Sequence, residues 1–210
     1  MIKLLSDIVI DFEDEDKSLE KLIGIVFPNF HTYSNNLNTM MNRIILTPKN
    51  EYVDMINNML VKQISGDTFI YFSFDEVIDK TERFIHEIFL NSLTPNGISP
   101  HELVLKKNCP VMLLRNINPS EGLCNVTRLI CREFKQNVIL AEIGCNEYSE
   151  KQVFLPRIPF IPLEGDKHSV PFKRTQFPVR PCFAMTINKF QGQTLAFVGL
   201  YLPEPVFSHD

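Results

Sequence analysis

Near residue 88 the hydrophobic pattern of the chain changes period, and this switch constrains the fold more than any other feature of the sequence. Before it, Arg43-Ile44-Ile45-Leu46-Thr47 is a short apolar run that predicts a buried strand. Pro48-Lys49-Asn50 turns the chain, and Asn50 suits the cap of a helix beginning at Glu51. Tyr52, Val53, Ile56, Met59 and Leu60 then line one helical face, and Gly66 marks the exit. Thr68 to Phe72 is aromatic and β-branched and predicts a second strand. Strand, helix, strand is the local signature of an α/β layer. After residue 88 comes a Pro/Gly-rich stretch, 94–100, and then short β-like runs at 102–105, 110–115, 124–132, 138–143 and 152–158. Turn-forming segments separate them, which predicts a small antiparallel barrel. Residues 162–175 read as a polar connection. A strand-like run starts at Phe183, and Phe197 to Leu202 reads as a final strand.

The N-terminal part is simpler. Five carboxylates lie within Asp11–Asp16, with no His near, and predict a solvated linker rather than a metal site. Leu19, Leu22, Ile23 and Val26 follow helical spacing, with Ser18 as N-cap and Pro28 as terminator. Residues 29–41 are rich in Asn, Ser and Thr and predict a loop.

Composition narrows the function classes. The 210 residues are 44% hydrophobic and 22% charged, as expected of one or two globular domains. No apolar run approaches the ~18 residues of a membrane helix. The start of the chain is interrupted by charge too early for a secretory signal. Five cysteines, at 109, 124, 131, 145 and 182, form no CxxC pair, so reduced thiols of an intracellular protein are expected. Charge is uneven. Residues 1–100 carry 8 Lys and Arg against 15 Asp and Glu, and residues 101–210 carry 13 against 10. A nucleic-acid surface is therefore expected in the second half, where cations prevail. His31, His86, His101 and His168 are scattered, and no Ser-His-Asp or metal constellation emerges from them.

The most specific segment is Thr186-Ile187-Asn188-Lys189-Phe190-Gln191-Gly192-Gln193-Thr194-Leu195. It resembles the T-I-x-K-x-Q-G-Q-T-L motif of Pif-type DNA helicases, the group that includes Helitron helicases. Other stretches resemble the family in its own order. They are Ile45–Asn50, Phe89–Pro95, Pro110–Asn116, Gly122–Leu129, Phe154–Ile158 and Gln176–Arg180. Together the resemblance spans roughly residues 18–208.

The resemblance implies a partial RecA-like α/β motor domain, residues 40–87 and 179–210, following an N-terminal linker and helix, 1–39. A small SH3-like β-barrel, 88–178, would be inserted between its halves. It also implies ATP-dependent unwinding with 5′-to-3′ travel. Single-stranded DNA is the implied partner, together with the family's first RecA-like domain and no membrane. A nuclear or mitochondrial setting follows. ATP and magnesium serve the intact family enzyme. No G-x-x-x-x-G-K-[ST] loop occurs among the eight glycines of this chain, so no cofactor and no ATP turnover are expected of it alone. The sequence is also expected to stop just before the family's Q-L-Y-V-A-x-S-R segment and its phosphate-sensing arginine.

Site residues follow from the same motifs. Lys189 reads either as a cation for a DNA phosphate or as a surface lysine. Thr186 and Asn188 would assist it, since sugar and phosphate contacts use short polar groups. Gln191, Gly192 and Gln193 are implied to face nucleotide, or simply to connect. Thr47, Lys49 and Asn50 follow a strand, where ligands of open α/β sheets collect. Arg115, Asn116, Thr127 and Arg128 are expected on an edge of the barrel facing DNA or the neighbouring domain. Arg128 reads equally as a structural partner of Glu133 or Glu142. Two positions depart from the family. Phe190 stands where Ser is usual, and reads as a packed side chain or a base-stacking ring. Val126 stands where Gly is usual, a β-branched residue in a backbone position that glycine suits. Two rival readings remain: a nucleic-acid or protein binding module without ATPase activity, and a transposon-derived remnant.

Overall fold

The computed structural model describes residues 8–30, 37–78, 87–95, 97–144, 148–162 and 171–204. In chain order the elements are α1 (Glu15–Val26), α2 (Leu37–Met41), β1 (Arg43–Thr47), α3 (Asn50–Gln63), β2 (Thr68–Phe72), β3 (Phe74–Val77) and α4 (Glu87–Ser92). Then follow β4 (Glu102–Lys106), β5 (Pro110–Leu113), β6 (Arg128–Phe134), β7 (Val138–Ile143), β8 (Gln152–Pro156) and β9 (Ile158–Phe160). The chain closes with β10 (Phe172–Gln176), β11 (Val179–Pro181), β12 (Ala184–Thr186), α5 (Ile187–Phe190) and β13 (Phe197–Leu200). These elements divide into two compact units. One is Met1–Ile64 with Phe183–Asp210, and the other is Ser65–Cys182.

The first unit is built on a parallel sheet in the order β12-β1-β13. β1 is central, with Ile45 beside Ala184 on one side and Gly199 on the other. Ile44, Ile45 and Leu46 are all buried, as a strand covered on both faces requires. α3 buries Val53, Ile56, Leu60 and Val61. Its Asn57 is also buried and serves the backbone of β12. Asn57 Oδ1 accepts from the N–H of Phe183 and Ala184 at 2.8 and 2.9 Å, and Nδ2 donates to the Ala184 carbonyl at 3.2 Å. Lys49, not Asn50, is the N-cap residue of α3, and no side chain caps the helix there.

α1 starts three residues before Ser18. The carboxylate of Asp14 caps it by accepting from Lys17 N at 2.8 Å, and Ser18 Oγ accepts from Glu13 N at 3.1 Å. Glu15 and Asp16 sit in the first turn, where the helix dipole favours anions. Part of the acidic run therefore starts a helix instead of forming a linker. α1 lies against β13 at Gly199. A Cβ there would come within 2.5 Å of Val26 Cγ2 and 3.0 Å of Leu22 Cδ1, so glycine permits the approach.

The second unit is antiparallel. One sheet has five strands in the order β11-β5-β6-β7-β8, a second has β3-β10-β9, and β2 pairs with β4. β2 is thus not part of the α/β layer expected from its sequence. It lies antiparallel to β4, with Ile70 beside Val104. Among the described residues the hydrogen-bonded sheets are open and make no closed barrel. β6 and β7 shift register between Cys131 and Glu133. Arg132, at that bulge, binds both oxygens of Glu142 at 3.0 Å and Asn108 Oδ1 at 2.8 Å.

Arg174 is the hub of this unit. It is fully buried and holds Asp75 through Nε and Nη2, the shortest contact being 2.7 Å. Its remaining donors reach the carbonyls of Leu90, Leu93 and Ser99. Every charge-assisted donor direction is used, which is the condition for a buried ion pair to be tolerated. The Pro/Gly-rich segment after α4 is thereby tied to β10 and β3. Asp75→Ala would strand the guanidinium. A loss of about 3–5 kcal/mol is expected from urea unfolding followed by circular dichroism.

Val126 has φ of 68°, the left-handed region that a β-branched residue disfavours. Its N–H donates to the Leu113 carbonyl at 2.8 Å, which fixes the strained turn before β6. The sequence comparison with the family motif pointed to a glycine position, and the dihedral gives the reason. Val126→Gly should stabilise the protein by about 1 kcal/mol, the relief of strain exceeding the added chain entropy. An upward shift of the melting temperature would be the readout.

Candidate nucleic-acid interface

All three strands of the parallel sheet run the same way, so their carboxyl ends share one edge of the first unit. Open α/β sheets bind ligands at such an edge. After β1 come Pro48, Lys49 and the start of α3. After β12 comes α5 directly. After β13 come Tyr201 to Glu204. The register sets Thr47 beside Thr186. The edge therefore brings together Thr186, Asn188 and Lys189 from one motif and Lys49 and Asn50 from another.

Their exposure differs. Lys49, Asn50 and Asn188 are exposed, and Thr186 and Lys189 are half-buried. Thr47 is fully buried, and its hydroxyl has no hydrogen-bond partner among the described residues. Its side chain is thus part of the core and not presented to a ligand. Gln191 and Gly192 are exposed and Gln193 is half-buried. They form a turn in which Gly192 takes φ of 82° and Gln193 N donates to the Phe190 carbonyl at 3.0 Å. The positive φ is why glycine belongs there. Phe190 is half-buried at the end of α5.

A cluster that the sequence did not reveal occupies the same edge. Lys49 Nζ and the Tyr52 hydroxyl both donate to the carboxylate of Glu204. Glu51 lies 3.6 Å from the same ammonium. The Tyr52 ring meets Tyr201 edge-on, with centroids 5.8 Å apart. The hydrogen bond to Glu204 raises the Tyr52 phenol to about 12 and raises the Lys49 ammonium above its ordinary range. The bonds from Lys49 and Tyr52 lower the Glu204 carboxyl. Helical periodicity alone had assigned Tyr52 to a buried face. The signal that could have found the cluster is the edge rule itself, applied to the residues after the last strand.

The candidates in the second unit all make contacts within it. Arg115 is exposed, lies 4.8 Å over the Phe160 ring and donates to the Ile161 carbonyl at 3.5 Å. Asn116 Oδ1 accepts from Asn125 N at 2.7 Å. Thr127 Oγ1 donates to the Gly122 carbonyl at 3.0 Å. Arg128 is 3% exposed and donates to the Cys182 carbonyl at 3.1 Å. Arg128 is thus turned inwards, and the carboxylate of Glu142 pairs with Arg132.

His31, His86 and His168 lie outside the described residues, as does Cys145. His101 Nδ1 is 2.8 Å from Ser73 Oγ, which donates to Asp75 at 2.7 Å. Asp75 is already held by the buried Arg174, so the three side chains join one polar network within the second unit. Cys109 and Cys131 are buried free thiols, pushed up by burial, Cys131 to about 12. Among the described residues no group of His, Cys, Asp and Glu suits a metal ion.

Residues 88–134 match the family model "DNA helicase Pif1, 2B domain". No curated protein matches the chain. Among solved structures, the Pif1 helicase from Candida albicans is similar with a TM-score of 0.59 at 20% identity, over 88% of this chain and 43% of that one. The Bacteroides Pif1 helicase in complex with ADP-AlF3 and ssDNA gives 0.54 at 18% identity, over 88% and 39%. Bacteroides Pif1 bound to ssDNA gives 0.53 at 18%, over 90% and 43%. The likeness to Pif-type helicases read from the motifs is borne out by the family match and by the shared fold. The chain spans less than half the length of these solved relatives.

The edge cluster has a spectroscopic signature. A raised phenol means that the protonated Tyr52 is the form held by the fold. Its contact with Glu204 is complete below the ordinary tyrosine range and is lost as pH rises through about 12. Glu204→Gln should move one tyrosine midpoint down towards about 10, seen as an ultraviolet difference titration against the parent protein.

Proposed function

We propose that this chain supplies the second RecA-like motor domain and the inserted small domain of an ATP-dependent 5′-to-3′ DNA helicase. In that role it offers contacts to single-stranded DNA and one wall of an ATP cleft. The observation that carries the reading is the convergence of Thr186, Asn188 and Lys189 with Lys49 and Asn50 on the carboxyl edge of one parallel sheet. These are cations and short polar groups, the kinds that meet phosphate and sugar. In a motor of this class the protein supplies positioning and charge, and two domains with magnesium carry the phosphoryl chemistry. A first RecA-like domain would bring the phosphate-binding loop. Gln191, Gly192 and Gln193 would face nucleotide from this side.

The SH3-like barrel belongs to the same proposal. Its support is that β8 continues into β9 across Arg157, and β10 into β11 across Phe177-Pro178, each pair crossing from one sheet to another. Bent strands of that kind are how small barrels close their corners. The compact unit 65–182 also takes in β2 and β3, so the RecA-like part proposed here is confined to the first unit. A nuclear or mitochondrial setting remains part of the proposal.

A second reading is a nucleic-acid or protein binding module that uses the same edge without ATPase activity. Both readings expect weak, salt-sensitive binding of single-stranded DNA, near ~10⁻⁴ M or weaker at physiological salt. Lys189→Ala should weaken it and reduce the salt slope by roughly one. Fluorescence anisotropy with a labelled oligonucleotide over a salt series measures both. If Lys189→Ala binds as the parent does while Arg115→Ala loses binding, the interface lies on the other unit.

A further inference from the structure

The carboxylate of Glu204 sits at the start of α3, bonded by the N-cap residue Lys49 and by Tyr52, three positions on. Three features at that point favour an anion. Lys49 contributes an ammonium. Tyr52 contributes a hydroxyl donor. α3 is fourteen residues long, and its N-cap residue Lys49 makes no side-chain cap hydrogen bond, so the helix dipole favours negative charge there as well. An anion is already present, and it is the protein's own. Glu204 accepts both side-chain donors at once, as a phosphate oxygen pair would.

We propose that Lys49 and Tyr52 form an anion site for a nucleic-acid phosphate and that Glu204 occupies it as an internal competitor. The inference rests on reading the carboxyl edge as the nucleic-acid interface, and it adds regulation of that edge. Glu204 follows β13 by only a few residues, so it is anchored to the same sheet as the site it fills. All three partners belong to the first unit. The contact is exposed, with side-chain accessibilities of 50% for Lys49 and 42% for Glu204. Exposed pairs are weak and screened by salt, so a phosphate can displace the carboxylate at small cost. The consequence is selectivity against weak anions: a lone phosphate meets a filled site, whereas a strand held elsewhere on the edge presents its phosphate at high local concentration. The raised Tyr52 phenol and lowered Glu204 carboxyl accord with this occupancy.

The test is binding of a fluorescent oligodeoxythymidine at low salt to the full chain and three substitutions. Glu204→Gln should bind about two- to fivefold tighter, the range that an exposed pair spans. Glu20→Gln, which removes the same charge from the exposed side of α1, should leave affinity near the parent value. In a Lys49→Ala background the gain from Glu204→Gln should vanish. Equal behaviour of the two Gln variants, or a gain that survives without Lys49, overturns the competition. If Lys189→Ala changes the salt slope while Glu204→Gln brings no gain, the interface stands and the internal competitor falls. If no variant binds at low salt, both fall together. A Tyr52 phenol that titrates alike with and without Glu204 removes the contact on which the competition depends, whatever the oligonucleotide does.

Discussion

Two parallel ladders on either side of β1 decide what the first unit can do. A parallel neighbour must be supplied by a crossover, never by a hairpin. β1 therefore receives partners that come from the far end of the sequence, and its carboxyl end is shared with theirs. The strand ends at that edge, and the turns and helices that leave them, carry the polar groups of the candidate interface. Asn57 makes this arrangement durable. It satisfies backbone groups at the start of β12 that no further strand serves, and it does so from a helix that leaves β1 itself. One buried amide thus fixes the strand whose end holds Thr186 and Lys189.

The second unit solves a different problem. Its strands are short and its sheets open, so side chains must supply constraints that a closed ladder would provide. Arg174 binds one carboxylate and three carbonyls, those of Leu90 in α4, of Leu93 just after it, and of Ser99 in the Pro/Gly-rich stretch. Gln176 and Arg157 do similar work nearby. Gln176 Nε2 donates to the carbonyls of Tyr71 and His101, and Arg157 donates to that of Phe72. Carbonyls left bare by the ends of ladders are met by guanidinium and amide groups. The inward-facing Arg128 does the same for the Cys182 carbonyl.

Much of this was legible in the sequence, for local reasons. The buried run 43–47, the helix after it, and the strands at 102–106, 138–143 and 197–200 follow from hydrophobic period and turn residues. The ordered motifs pointed to the family and to the edge that carries Lys49 and Lys189. What was hidden depends on pairing at long range. Nothing in Thr68–Phe72 says that its partner is β4 and not β1, because an apolar run of five carries no record of its neighbour. The same applies to charge. Glu204 is an ordinary acidic residue until the sheet brings it to Lys49, and Arg174 is an ordinary basic one until Asp75 and three carbonyls surround it. Local caps were misjudged by a residue or a few, since Asp14 and Ser18 share the work at α1 and Lys49 holds the N-cap position of α3.

The first unit is discontinuous in sequence, 1–64 and 183–210, with the second unit lying between. On a ribosome the consequence is one of timing. β1 and α3 emerge with apolar faces that have no finished sheet to join, and β12 and β13 follow only after the whole second unit has been made. At about 5–20 residues per second that interval is of the order of ten seconds. The second unit, contiguous and antiparallel, can close while the ribosome is still working. Within these 210 residues the contiguous unit can thus form first, and the parallel sheet, which needs both ends of the sequence, can form only after it.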